Sequence, residues 1–258
     1  MRDKKEELSF ALVQSSPLWK DIEGNLQLHE DMLKKVNSDI IVLPEMFNTG
    51  FIQEPEGHQE NMDGQTIQWM RSMASEKSSL VCGSLIVEEA GHFYNRMILA
   101  FPDGRIEHYD KAHLFAFGGE AKHFTRGTVR PTYVFRGWRI RPIVCYDLRF
   151  PVWCRNDDDY DLLLNMASWP AVRSLAWTQL GIARAIENQA YYVAVNRTGM
   201  DGKGLEYNGL SQVVSYNGEV LMQIRDKAMV AKIELSLQAL RAFREKFPFL
   251  KDRDGFGL

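Results

Sequence analysis

The chain reads as a layered domain of α-helices and β-strands. Short β-branched runs alternate along it with longer stretches of helical periodicity. An apolar content of 45% over 258 residues is enough to bury a large core, and the 25% of residues that are charged can cover it. No repeat, low-complexity tract or linker breaks the pattern, so a single domain is expected over residues 1–258.

Taken in order, Leu8 to Gln14 has the apolar, β-branched character of a strand and ends at Ser-Ser-Pro. Ile22, Leu26, Leu33 and Val36 then fall on one helical face. Ile40 to Leu43 is a second strand, which stops at Pro44-Glu45. Thr66 to Lys77 is expected to be helical. Leu80 to Val87 and Phe93 to Phe101 read as paired strands, and Pro102-Asp103-Gly104 turns the chain into another at Arg105 to Tyr109. Trp138 to Cys145 is an apolar run ending in the polar Tyr146-Asp147-Leu148-Arg149, which puts Cys145 where a strand gives way to a turn. Leu162 to Met166 is a strand, Ser174 to Ala190 a helix with Leu175, Ile182 and Ile186 on one face, and Tyr191 to Val195 a further strand. Asn217-Gly218, between Gln212 to Tyr216 and Glu219 to Ile224, predicts a hairpin closed by a type I′ turn. Leu237 to Phe247 is expected to be a helix that ends at Pro248.

The charge balance excludes several classes of partner. With 31 basic and 34 acidic residues scattered along the chain, the net charge is −3, and no basic field is available for nucleic acid or an anionic membrane. A small soluble molecule is the expected partner. The stretch from Met1 to Phe10 is charged and lacks a secretory h-region, and no apolar run is long enough to span a bilayer. The 3 cysteines, Cys82, Cys145 and Cys154, fit no zinc or disulfide pattern, so free thiols in the cytoplasm are expected. His58, His92, His108, His113 and His123 include no ligand pair at helical spacing beside an acid, so no metal site is expected.

Three groups suited to chemistry stand at the ends of apolar strands: Glu45, Lys111 and Cys145. Taken singly, each has an ordinary explanation: a solvated loop acid, a surface lysine and an inert buried thiol. Cys82 and Cys154 are read as the inert kind. Strand ends that deliver all three side chains to a shared pocket would give a nucleophile, a cation and a base.

The segments around them are Leu43-Pro44-Glu45-Met46-Phe47, Tyr109-Asp110-Lys111-Ala112-His113-Leu114-Phe115 and Val144-Cys145-Tyr146-Asp147-Leu148-Arg149-Phe150-Pro151. In sequence and in order they resemble the three signature regions of the nitrilase, or carbon-nitrogen hydrolase, superfamily. The resemblance runs on through Arg184 to Gln189 and to Arg244 to Pro248, and within the superfamily it points to the bacterial omega-amidases. It implies a four-layer αββα sandwich that pairs with a second subunit as a homodimer or higher homo-oligomer. It also implies hydrolysis of the terminal amide of 2-oxoglutaramate or 2-oxosuccinamate, with no metal or organic cofactor.

The residue types suit that chemistry. A thiol is mostly protonated at neutral pH and needs a neighbouring cation or a base, and Lys111 and Glu45 would supply them. Glu45 would take the Cys145 proton during attack and pass it to the departing ammonia, leaving a thioester for water to cleave. Lys111 and the backbone N–H of Tyr146 would hold the oxyanion. Glu120 falls where the superfamily often carries a second glutamate, with a solvated loop acid as the alternative. Asp147 and Arg149 are expected to form an ion pair or buried hydrogen bonds.

For a substrate carboxylate, Arg173 is the candidate, with Arg184 and Arg197 as alternatives. Phe47, Phe115, Phe117 and Trp169 are candidate pocket walls that would otherwise be core or interface. Two other enzymes of the same fold, a nitrilase and a carbamoyl-amide hydrolase, remain open, as does a non-catalytic binding protein. The ammonia-supplying part of a synthetase is disfavoured, because no synthetase domain follows before Leu258.

Overall fold

Strand periodicity decides which side chains meet. The computed structural model describes residues 4–255, so Met1 to Asp3 of the charged N-terminal stretch lie outside the described residues. Its elements are β1 (Glu7–Gln14), α1 (Ile22–Leu33), β2 (Ile40–Val42), α2 (Gln65–Lys77), β3 (Leu80–Glu89), β4 (His92–Ala100) and β5 (Ile106–Asp110). There follow β6 (Tyr133–Phe135), β7 (Trp138–Val144), α3 (Pro151–Cys154), β8 (Leu162–Ala167), α4 (Ser174–Asn188), β9 (Tyr191–Asn196) and β10 (Thr198–Met200). The chain closes with β11 (Glu206–Val214), β12 (Val220–Arg225), β13 (Met229–Ser236) and α5 (Leu237–Lys246).

Two sheets form. One has the order β13-β1-β2-β3-β4-β5, and the other β10-β11-β9-β8-β7-β6 with β12 added to β11. In the first sheet the side chains alternate between two cores, as a period of two requires. Leu8, Phe10 and Leu12 of β1, Ile40 and Val42 of β2, and Leu80 and Cys82 of β3 join a core shared with Trp138, Ile140, Leu162 and Leu164 of the second sheet. Ala11, Val13, Ile41 and Val81 face the other way and pack on Leu33 of α1 and on Ile67, Met70 and Ala74 of α2. The result is the expected αββα sandwich, with α4 against β9 and β11 of the second sheet.

Two expectations about local structure are corrected. On α4 the apolar face is not the buried one: Leu175 and Ile186 are exposed, and the helix packs through Trp177, Gly181, Arg184, Ala185 and Asn188. Gly181 is needed there because a Cβ would stand 2.5 Å from the Tyr192 ring. The turn at Asn217-Gly218 is not type I′, since Gly218 alone of the pair takes a positive φ, at 91°. The Gly218 N–H instead donates to the Ser215 carbonyl in a longer loop, beside a register shift at Val213/Val214.

Buried His29 of α1 supplies a stability prediction. Its ring nitrogens are engaged by the Asn25 carbonyl at 2.7 Å and the Ser15 hydroxyl at 2.9 Å. Burial pushes its pKa down from 6.5 to about 4, against the Asn25 hydrogen bond. The unfolded chain therefore binds a proton below pH 6.5 that the folded chain refuses until about pH 4, and stability falls through that window. Denaturant titrations are expected to show the wild type losing about 2 kcal/mol more than His29→Gln between pH 7 and pH 5. Parallel curves for the two proteins would remove this assignment.

Candidate active site

Four strand ends converge at one edge of the sandwich: Glu45 follows β2, Lys111 follows β5, Cys145 follows β7 and Ser168 follows β8. β1, β2 and β3 run parallel, and β4 and β5 each reverse direction, so Glu45 and Lys111 leave the first sheet at the same end. The second sheet brings Cys145 and Ser168 in from parallel β7 and β8.

Cys145 has a left-handed φ of 47° and opens a 3-10 turn over Cys145–Arg149. That strained bend lifts the side chain off the strand and costs on the order of 1–3 kcal/mol. Asp147 anchors the bend from below. Fully buried, it accepts hydrogen bonds from the Val144 N–H at 2.9 Å, the Tyr109 hydroxyl at 2.7 Å and the His113 N–H at 2.8 Å, and it also meets His113 Nδ1. The Cys145 N–H is held by Asn165 Oδ1 at 2.9 Å. The next N–H, that of Tyr146, lies in the first turn, where no intrahelical acceptor exists.

Beside the thiol lies a buried charge cluster. Lys111 Nζ meets Glu45 Oε1 at 2.8 Å and the two Glu120 oxygens at 3.1 and 2.9 Å. All three side chains have no exposed surface. Burial alone would lower the Lys111 pKa, but the Glu120 and Glu45 carboxylates outweigh it and hold the ammonium above its ordinary value. Burial and the nearby Glu45 push the Cys145 thiol well up, against the weaker pull of Lys111. The thiol is therefore protonated at rest, as the expected transfer of its proton to Glu45 during attack requires. The charge of Lys111 is already taken by two carboxylates, so the resting group is a thiol beside a carboxylate. Cys82 and Cys154 are buried free thiols, and burial pushes Cys154 up to about 12.

The acceptor positions of the two carboxylates separate them. An ionised carboxylate offers about four lone-pair sites. Glu120 fills them with Asn95 Nδ2, the Phe115 N–H and a bidentate contact to Lys111. Glu45 accepts from Asn95 and Lys111 at Oε1 and from the Ser168 N–H at Oε2, 2.7 Å away. One site on Glu45 Oε2 stays open. The solvated-loop alternative for Glu120 is thereby removed.

Above Cys145 is a cavity of about 300 Å³ lined by Phe51, Phe115, Phe117, Tyr146, Trp169, Tyr207, Arg149 and Arg173, among others. Of the candidate walls, Phe115, Phe117 and Trp169 are there, with Phe117 91% exposed at the mouth. Phe47 is not. It packs behind the first sheet against His29 and Trp69, and the wall from that segment is Phe51. Met46, at φ 45°, turns the chain between Glu45 and Phe47, so the two side chains enter different layers.

Arg173 lines the cavity with its guanidinium 5.2 Å from the Phe115 ring centre. Arg149 does the same 4.9 Å from that of Trp169. Neither pairs with a carboxylate among the described residues, so of the two roles expected for Asp147 and Arg149 the ion pair is not formed, while Asp147 takes the buried hydrogen-bond role. Arg184 and Arg197 are committed elsewhere, to the Leu148 carbonyl and to the Thr198 and Met200 carbonyls. Sequence reasoning missed Phe51, Asn95, Asn165, Ser168 and Tyr207. Only Ser168 carried the signal that found the others, a polar residue just past a strand.

No helix among the described residues is long and apolar enough to cross a membrane, and no group of three or more His, Cys, Asp and Glu side chains there is placed to hold a metal ion. Comparison with known proteins agrees with the geometry. The family model described as carbon-nitrogen hydrolase matches residues 9–245. The chain is 44% identical to omega-amidase YafV of Escherichia coli K12 over 97% of this chain and 98% of that one. It is 32% identical to the 2-oxoglutaramate amidase of Bacillus subtilis over 88% of this chain and 90% of that one. The crystal structure of XC1258 from Xanthomonas campestris, a CN-hydrolase superfamily protein with an arsenic adduct in its active site, superposes with a TM-score of 0.96 at 40% identity, covering 98% of this chain and all of that one. The chain, with its buried thiol, lysine and paired carboxylates at the edge of an αββα sandwich, belongs to the carbon-nitrogen hydrolase family.

Proposed function

We propose that the protein is an omega-amidase that hydrolyses the terminal amide of a short 2-oxo dicarboxylic acid monoamide, 2-oxoglutaramate or 2-oxosuccinamate. The observation that carries this reading is the pair of guanidiniums, Arg149 and Arg173, that line the cavity above Cys145 with no carboxylate partner among the described residues. A carboxylate at the far end of the substrate supplies that partner, and a planar guanidinium fork binds it in two-point fashion. The relatives named for the same reaction support the choice.

In this reading the open site on Glu45 Oε2 takes the Cys145 proton as sulfur attacks the amide carbon. The carbonyl oxygen becomes an anion held by Lys111 and by the Tyr146 N–H, which the elbow leaves unpaired. Because the thiol stays protonated at rest, proton removal and attack are coupled. The C–N bond then breaks, Glu45 returns the proton to nitrogen, and ammonia leaves. Water enters, and Glu45 takes one of its protons as the oxygen attacks the thioester carbon. As the C–S bond breaks, Glu45 passes that proton to the sulfur, releasing the free acid and restoring the Cys145 thiol. Glu120, with its acceptor sites filled, holds Lys111 rather than handling the water.

The test is ammonia release from a panel of 2-oxo ω-amides, neutral amides, carbamoyl amides and nitriles. Arg149→Leu and Arg173→Leu are each expected to lower kcat/KM for the carboxylate-bearing amides about 10–100-fold, the worth of a charge-assisted hydrogen bond pair, and to leave neutral amides unchanged. Preference of the wild type for nitriles or neutral amides would overturn the substrate class.

A further inference from the structure

Asn95 lies inside β4, beside Lys111 in the ladder, and the Lys111 N–H donates to its carbonyl at 3.0 Å. Its side chain is fully buried and joins the two carboxylates of the cluster. One Nδ2 hydrogen goes to Glu45 Oε1 at 2.8 Å and the other to Glu120 Oε1 at 3.0 Å. Oδ1 accepts from the Ser84 hydroxyl at 3.0 Å, and the Ser84 oxygen accepts in turn from the Met46 N–H at 2.9 Å. The amide has one possible orientation, because flipping it would aim its oxygen at two carboxylates.

We propose that Asn95, anchored at its Oδ1 by Ser84, is a positioning residue that holds the Oε1 atoms of Glu45 and Glu120 and so reserves Glu45 Oε2 for the Cys145 thiol. Asn95 gives each carboxylate a neutral donor on its Oε1. It also blocks that oxygen of Glu45, so that the open acceptor site lies on the side of Ser168 and Cys145. The Ser84 link extends the control to Met46, the left-handed residue that sets the direction in which Glu45 leaves β2. The charged or titratable groups facing Glu45 are Lys111, Glu120, Cys145 and, more distantly, Tyr207. None of these supplies a neutral donor to both carboxylates.

The inference rests on Glu45 being the base, and the experiment separates the two. Asn95→Leu is expected to lower kcat about 10–100-fold with KM changed less than about threefold, and to move the acid limb of the kcat–pH profile up by about one pH unit, as loss of a donor to an anion requires. Ser84→Ala, which removes the donor to Asn95 Oδ1 and leaves the amide less firmly held, is expected to move the same limb in the same direction by less. It keeps the test open if Asn95→Leu does not fold. Asn95→Asp is expected to be nearly inactive at neutral pH and to regain activity as the introduced carboxyl takes a proton. An unshifted acid limb in both Asn95→Leu and Ser84→Ala overturns the role of Asn95. Retained activity in Glu45→Gln overturns the underlying assignment instead, whatever the Asn95 variants do.

Discussion

Cys145→Ala is expected to lower ammonia release from 2-oxoglutaramate by on the order of 10⁴-fold or more, because without sulfur no thioester forms and the site offers only binding and polarisation. The fold should survive. Alanine pays the same backbone cost as cysteine at φ 47°, since both carry a Cβ. The elbow is held by groups that the substitution leaves alone, namely Asp147 below and Asn165 on the Cys145 N–H. Loss of one buried sulfur is worth about 1 kcal/mol, so the melting temperature should move by only a few degrees. The decisive pair of measurements is ammonia release and a thermal melt on the same sample. An active Cys145→Ala protein would exclude the thiol route, and an inactive but unfolded one would show instead that the thiol is a packing group.

Lys111→Met is expected to damage both stability and activity. The lysine is the cation between two fully buried carboxylates. Removing one partner from a buried ion pair leaves an uncompensated charge and costs about 3–5 kcal/mol. In a domain of this size that is a fall in melting temperature of about 10 °C. The folded fraction is expected to lose about 10³-fold or more in kcat, because the oxyanion loses its ammonium and the carboxylates are driven to share a proton. Adding Glu120→Gln to Lys111→Met should recover part of the lost stability by removing one of the stranded charges, and none of the lost rate. Wild-type stability in Lys111→Met would mean that the three charges are not coupled. Recovery of the rate in the double variant would mean that Lys111 serves only to neutralise Glu120.

Much of the fold was legible because strand and helix periods survive in a single sequence. The alternation Leu8, Phe10, Leu12 against Ala11, Val13 sorts β1 between two cores without any knowledge of its neighbours. β6, β10 and β13 were not found, because β6 and β10 are three residues long and β13 is largely solvent-facing, which leaves little apolar contrast to read. The apolar stripe of α4 misled for a related reason: periodicity identifies a face but not what covers it. In the Asn217-Gly218 loop, the dipeptide predicted a turn correctly, while the register shift of the flanking strands selected its type.

The candidate site divides along the same line. The sequence alone singled out Glu45, Lys111 and Cys145, polar groups closing apolar strands whose flanking segments together resemble one family, and it offered Glu120 only through that resemblance, with a solvated loop acid as the alternative. The tertiary structure decided how those groups are charged and which are free. Protonation depends on burial and on neighbours brought from distant segments: Lys111 is neutralised by residues 66 and 9 positions away, and the Cys145 thiol is kept protonated by burial beside Glu45. Asn95, mid-strand, and Arg149, four residues past the nucleophile, became visible only through those contacts. Phe47 and Phe51 exchanged places because a single left-handed residue, Met46, redirects the chain between Glu45 and Phe47. Local sequence carries residue type and period, whereas electrostatics and side-chain direction are set by distances between segments that only folding brings together.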